Sequence, residues 1–236
     1  MLCGVNRALN ASPAQELQKK ADLLREEGKS LEAIDLYNQA LASFQEEKDY
    51  GSIIGALTGR LLAWKHLFYK TEAKIYAIIV KKEAETMLEI TKEYGLKGKD
   101  HLLHFLNGTA AMLLQDYATG ENEFRQAVAL FPANNAEKGD WTAHLGEALY
   151  RNGKKEEGQK MILKGVEIIQ HHASELDPFL YNVWVSGAYL RLAKLLKVDN
   201  QEESSIFFSK AQKIIESDDR LVIRKGQLKA FTNEAF

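Results

Sequence analysis

The chain has 236 residues, 45% of them hydrophobic and 27% charged, an ordinary balance for a water-soluble protein able to bury a sizeable core. Lys and Arg number 31 against 33 Asp and Glu, and the formal net charge of −2 argues against bulk nucleic-acid binding, which needs a cationic surface to displace counterions. A single cysteine, Cys3, excludes an internal disulfide, and the longest compact apolar run, residues 75–80, is too short to span a bilayer, so the expectation is a cytoplasmic chain without secretory leader or membrane span.

In chain order, residues 1–11 show no sustained periodicity and are expected to form a loose leader. Ser12-Pro13 opens a helix: Ser12 caps free amides, Pro13 suits the first turn, and Gln15 completes a capping-box spacing. Leu17, Ala21 and Leu24 form its apolar stripe, and Gly28 ends it in a left-handed conformation. Ser30 is read as the cap of a second helix, in which Ala33, Ile34, Tyr37, Ala40, Leu41 and Phe44 recur at helical period. Residues 52–68 and 71–94 read as the next pair, broken off at Gly95 to Gly98. Residues 100–115 and 119–131 follow and are stopped by Pro132. Then come 140–151 and 154–171, separated by Asn152-Gly153. Asp177-Pro178 repeats the cap-then-proline start, ahead of 179–197 and 201–217, and a short helix over 219–231 closes the pattern. No stretch alternates apolar and polar residues as a strand requires.

One spacing recurs along this series: a small residue, a second twelve further on, a bulky one four later, and a small one three later. Ala21, Ala33, Tyr37 and Ala40 fit it, as do Gly108, Gly120, Phe124 and Ala127, and Gly146, Gly158, Ile162 and Gly165. Small residues belong where two helix backbones cross closely, with a bulky neighbour filling the adjoining gap. A hairpin of this kind has a second apolar face that only a stacked neighbour can bury, so the period predicts a solenoid. The fold class expected is all-α, a right-handed α-solenoid of about five stacked antiparallel helix pairs plus a C-terminal capping helix. The units are expected at about 12–48, 52–94, 100–133, 139–172 and 177–217, with 218–236 as capping helix and tail.

At these residues the chain resembles the tetratricopeptide-repeat family, in an extended and degenerate form. Asp116-Tyr117 makes the turn, Gly120, Phe124 and Ala127 carry a second helix, and Pro132 ends it. The next unit reads Trp141, Leu145-Gly146, Ala148-Leu149, Gly158, Ile162 and Gly165. The resemblance implies that the first helix of each pair lines a concave surface. Counting from the small packing residues, it implies Arg60, Trp64, Phe105, Thr109, Met112, Glu147, Tyr150, Arg151, Trp184 and Arg191 as partner-binding residues. Aromatic rings mixed with arginines are the types enriched at binding hot spots. Gln18 and Asp22 stand where some family members hold a carboxylate clamp, so no such clamp is expected.

Chemical motifs are few. His101 and His104 share one helix without a metal-site pattern around them, and no HExxH, GxGxxG, Walker motif or nucleophile elbow occurs. No catalytic residue, cofactor or metal is expected. The function expected is a non-enzymatic protein–protein interaction scaffold or adaptor, binding a peptide or partner helix in the concave groove. The alternatives are a peptide-responsive regulator acting on a separate effector and, less favoured, an RNA-binding helical repeat. Leu221, Val222, Ile223, Leu228 and Phe231 either cover the last pair or dock on a second copy, which leaves a homo-oligomer open.

Overall fold

The computed structural model describes residues 11–233, and helices dominate them, with no strand among these residues. They are α1 (Pro13–Glu26), α2 (Ser30–Glu47), α3 (Tyr50–Thr71), α4 (Lys74–Glu93), α5 (Asp100–Leu113), α6 (Tyr117–Leu130), α7 (Ala136–Arg151), α8 (Lys155–His171), α9 (Pro178–Asp199), α10 (Gln201–Glu216) and α11 (Val222–Asn233). Each helix packs on the next, so α1–α2, α3–α4, α5–α6, α7–α8 and α9–α10 form five successive hairpins in one stacked array. All but the last residue of the expected leader, and the last three tail positions, lie outside the described residues.

Local chemistry sets the boundaries. Ser12 and Gln15 exchange the two hydrogen bonds of a capping box, at 3.3 and 3.0 Å. Gly28 reverses the chain with φ +76°, and α2 starts directly at Ser30, which lies buried inside the helix instead of capping it. Asp49 caps α3, accepting from Ser52 N at 3.0 Å, so that helix begins two residues before Ser52. It also runs on to Thr71, whose hydroxyl donates back to the Leu67 carbonyl; α4 starts only at Lys74, after Glu72 turns left-handed at φ 55°. Helix α7 begins at Ala136, four residues before the expected Asp140, because Asn135 accepts from Lys138 N at 3.1 Å. The last helix starts at Val222, not at 219, because Asp218 ties the backbone and guanidinium of Arg220 into a turn.

The recurrent small residues sit at the crossings. Ala21, Ala33, Tyr37 and Ala40 are wholly buried, and so are Ala127 and Ile162. The tightest crossing joins α7 to α8 through two glycine pairs. A Cβ on Gly158 would lie 2.6 Å from the Gly146 carbonyl oxygen, and one on Gly165 would lie 2.5 Å from that of Gly139. Both helices space their glycines by seven residues, two turns, so the backbones touch twice along one seam. Trp141, Leu145 and Leu149 pack towards the earlier hairpins, whereas Ala136, Ala143 and Tyr150 pack towards the later ones. Helix α7 therefore joins the two halves of the core. The result is a TPR-like helical-repeat fold in which the first helices of the five hairpins line one shared space.

Candidate functional site

The inner face is built from one side of α1, α3, α5, α7 and α9. On α7, Asp140, His144, Glu147 and Arg151 follow at intervals of four, three and four, which places them on a single stripe. Glu147 accepts from Arg151 Nε at 2.9 Å and forms an ion pair with Arg191 Nε of α9 at 2.7 Å. Burial pushes the Glu147 carboxyl up, but Arg191 and Arg151 outweigh it and hold the group below its ordinary value. Arg191 Nη2 approaches His144 Nε2 at 3.1 Å. Burial, reinforced by Arg191 and Lys65, holds His144 well below the usual imidazole range. The neutral ring thus accepts from the arginine, and Asp140, 3.8 Å away, faces an uncharged neighbour. Burial raises the Asp140 carboxyl despite the attraction of Arg191.

Two neighbouring spaces open along this stripe. The larger, ≈ 270 Å³, is lined by residues of α1, α3, α5, α7 and α9 and by Arg220 to Arg224 at the start of the last helix. The smaller, ≈ 160 Å³, lies between Tyr69, Thr109, Met112, Glu147 and Arg151. Lys65 and His144 line both. Burial, then the nearby Arg191, lowers the Lys65 ammonium to about 8. Among the described residues no carboxylate pairs with it, and its contact is the ring of Tyr69, 6.0 Å away. Tyr69 itself is 49% exposed. Thr109 Oγ1 and Arg191 Nη1 are buried and lack a hydrogen-bond partner among the described residues.

The ten residues expected on this face divide. Thr109, Met112, Glu147 and Arg151 line the smaller space, Phe105 and Trp184 the larger, and Arg191 joins them through Glu147 and His144. Phe105 is also core, stacked on Trp141 at 4.4 Å. Three point elsewhere. Arg60 bridges Asn38 of α2 and Glu83 of α4, and Trp64 stacks on Tyr76 of α4 at 5.9 Å. Tyr150 donates to Asp199 at 2.6 Å, at the far end of α9. The cause in α3 is phase: Gly59 receives Tyr37 of the preceding hairpin, not its own partner helix, so counting inward positions from it misses Thr58, Leu62, Lys65 and Tyr69. Tyr150 lies four residues, about 40°, from the packing residue Gly146, whereas Glu147 and Arg151 lie about 100° and 140° away.

His101 packs against the rings of Phe131 and Trp141, while His104 bonds Glu123 at 2.8 Å, so the two histidines have separate surroundings. Among the described residues no group of three or more His, Cys, Asp or Glu is placed to hold a metal ion. Among them, too, no helix is long and apolar enough to cross a membrane.

By sequence the chain matches no protein-family profile and no curated protein. Solved structures are similar in fold. BtubC (BKLC) from P. vanneervenii superposes with a TM-score of 0.57 at 21% identity, covering 86% of this chain and 79% of that one. A MamA RS-1 double mutant gives 0.46 at 14% identity, over 89% and 98%. YrrB, described as a TPR protein with an unusual peptide-binding site, gives 0.42 at 20% identity, over 91% and 92%.

Proposed function

We propose that this protein is a non-enzymatic interaction scaffold that holds a peptide or partner helix against the inner face of its helical array. One observation carries the reading. The inner face gathers polar groups with unused bonding capacity around an open space: Lys65 without a carboxylate, and Thr109 Oγ1 without a hydrogen-bond partner among the described residues, both lining the smaller space. Buried polar groups are normally satisfied, and a bound chain supplies what these lack. Phe105, Trp184 and Tyr69 add rigid apolar area beside them, and such preformed surfaces bind with little reorganisation. The charged groups that are paired, Glu147 with Arg151 and Arg191, fix the shape of the face.

The test is capture of partners by the full chain and by a Lys65→Ala/Tyr69→Ala variant, with Lys164→Ala/Glu167→Ala on the outer helix α8 as control. Tyr69 and the two control residues are exposed and Lys65 reaches the open space, so unchanged thermal midpoints are expected. Partners retained by the control and lost from the inner-face variant support the reading. Equal capture by all three proteins, or no capture by the unaltered chain, overturns it.

A further inference from the structure

The smaller of the two inner spaces carries positive charge that its surroundings do not balance. The charged residues lining it are Lys65 of α3 and Glu147 and Arg151 of α7. Glu147 is engaged by Arg151 Nε at 2.9 Å and by Arg191 Nε at 2.7 Å, so one carboxylate already serves two guanidinium groups. None is left for Lys65. Its contact is the Tyr69 ring, and the neighbouring His144 is held neutral by burial and by Arg191. Burial and then Arg191 work against the ammonium; Asp140 and Glu147 favour it without forming an ion pair with it. A cation withdrawn from water is normally paired.

Thr109 of α5 lines the same space. Elsewhere in the helices, Thr58, Thr71 and Thr142 each donate to the carbonyl four residues back, at 2.8, 2.8 and 2.7 Å. Thr109 is 3% exposed and makes no such bond, and its Oγ1 has no partner among the described residues. A buried hydroxyl left in this state costs stability. Phe68, Met112, Leu113 and Phe124 give the space apolar walls beside these two polar groups.

We propose that the smaller space seats one acidic side chain, a glutamate inside the partner's segment, whose carboxylate pairs with Lys65 and accepts from Thr109. The excess charge is positive, so the missing group is an anion. The free donors are one ammonium and one hydroxyl, while the guanidinium forks that favour a phosphate already share Glu147; this suits a singly charged carboxylate. The apolar walls suit the methylene stem of a side chain. A chain terminus would bring main-chain amides as well, which such walls leave unpaired. The proposal rests on the inner-face reading and names the chemistry that the partner must carry.

Random peptides whose C-terminus is joined to a carrier are selected on the full chain. The enriched sequence is then made as a fluorescein-labelled, C-terminally amidated peptide and titrated by anisotropy. A glutamate should be enriched at one position, and replacing it by glutamine should weaken binding about ten- to a hundredfold, the loss of a charged hydrogen bond. Lys65→Met should erase that difference. Thr109→Val should weaken the glutamate peptide without lowering the thermal midpoint, because the hydroxyl has no bond to lose in the free protein; a merely structural threonine would lower the midpoint instead. A peptide that needs Tyr69 but binds equally with glutamate or glutamine, or keeps its preference on Lys65→Met, overturns the proposal and leaves the inner-face reading standing. Failure to select any peptide, or binding indifferent to Tyr69→Ala, overturns both.

Discussion

Glu121 shows what one buried carboxylate does in this array. It lies in α6 and accepts from Lys154 Nζ at 2.6 Å, Asn152 Nδ2 at 2.7 Å and Arg125 Nε at 2.9 Å, tying α6 to the turn between α7 and α8. Burial alone would raise its pKa; the three donors overcome that and bring it from 4.5 down to about 2. The folded form therefore holds its proton less tightly than the unfolded one. The stabilisation is complete above 4.5 and is lost as pH falls from there through about 2. Glu121→Gln should cost about 2 kcal/mol at neutral pH and flatten the drop in thermal midpoint across that window, followed by circular dichroism; an acid profile parallel to that of the unaltered chain would contradict this. Residues of this kind are hard to read from sequence: Arg125 is a local partner four residues on, but Asn152 and Lys154 lie beyond the next helix. The inner stripe was more accessible. Glu147 and Arg151 follow from Gly146 by helical angle, and Asp140 and His144 share their spacing. Lys65 and Tyr69 do not follow, because Gly59 serves a crossing with the previous hairpin.

Among the elements, α7 and α8 are fastened most closely. Gly165 faces the Gly139 carbonyl and the Ala143 amide, both main-chain groups that cannot rotate aside. Gly165→Val should therefore force the helices apart and destabilise by about 3 kcal/mol, lowering the thermal midpoint by roughly 6–12 °C. Gly226→Ala, where a Cβ meets nothing within 4 Å, should not lower it. A Gly165→Val midpoint equal to that of Gly226→Ala would remove the steric account. Most elements were legible from their own residues: the capping box at Ser12, the Asp177-Pro178 start and the left-handed Gly28 all act within a few positions. The start of α7 was not. Gly139 reads as a loop residue in sequence, yet it lies inside the helix because only a bare backbone fits against Gly165. The boundary is set locally by the Asn135 cap; the contact of Gly139 with Gly165 is a long-range approach with no local signature.

For the molecule as a whole, stability should be graded along the chain. Nearest-neighbour packing dominates a stacked array, so each hairpin is as secure as the seams on either side of it. Helices α7 and α8 share two backbone crossings and join both parts of the core, whereas α11 has one buried residue and a guanidinium without an ion pair. Amide hydrogen exchange should accordingly be slowest in α7–α8 and fastest, among the helices, in α11; comparable protection in both would refute this ordering. The solenoid itself was written in the recurrent small residues. The approach of its ends was not: Val222 Cγ1 comes within 3.9 Å of where a Gly28 Cβ would stand, although the two residues are far apart in the chain.

That meeting has a mechanical consequence. A coil whose two ends touch is a spring with a catch. Tension along the chain should part Val222 from Gly28 early, because the first and last helices are not among the closely packed pairs. The coil then lengthens by small rotations at each stacking interface, with its helices intact.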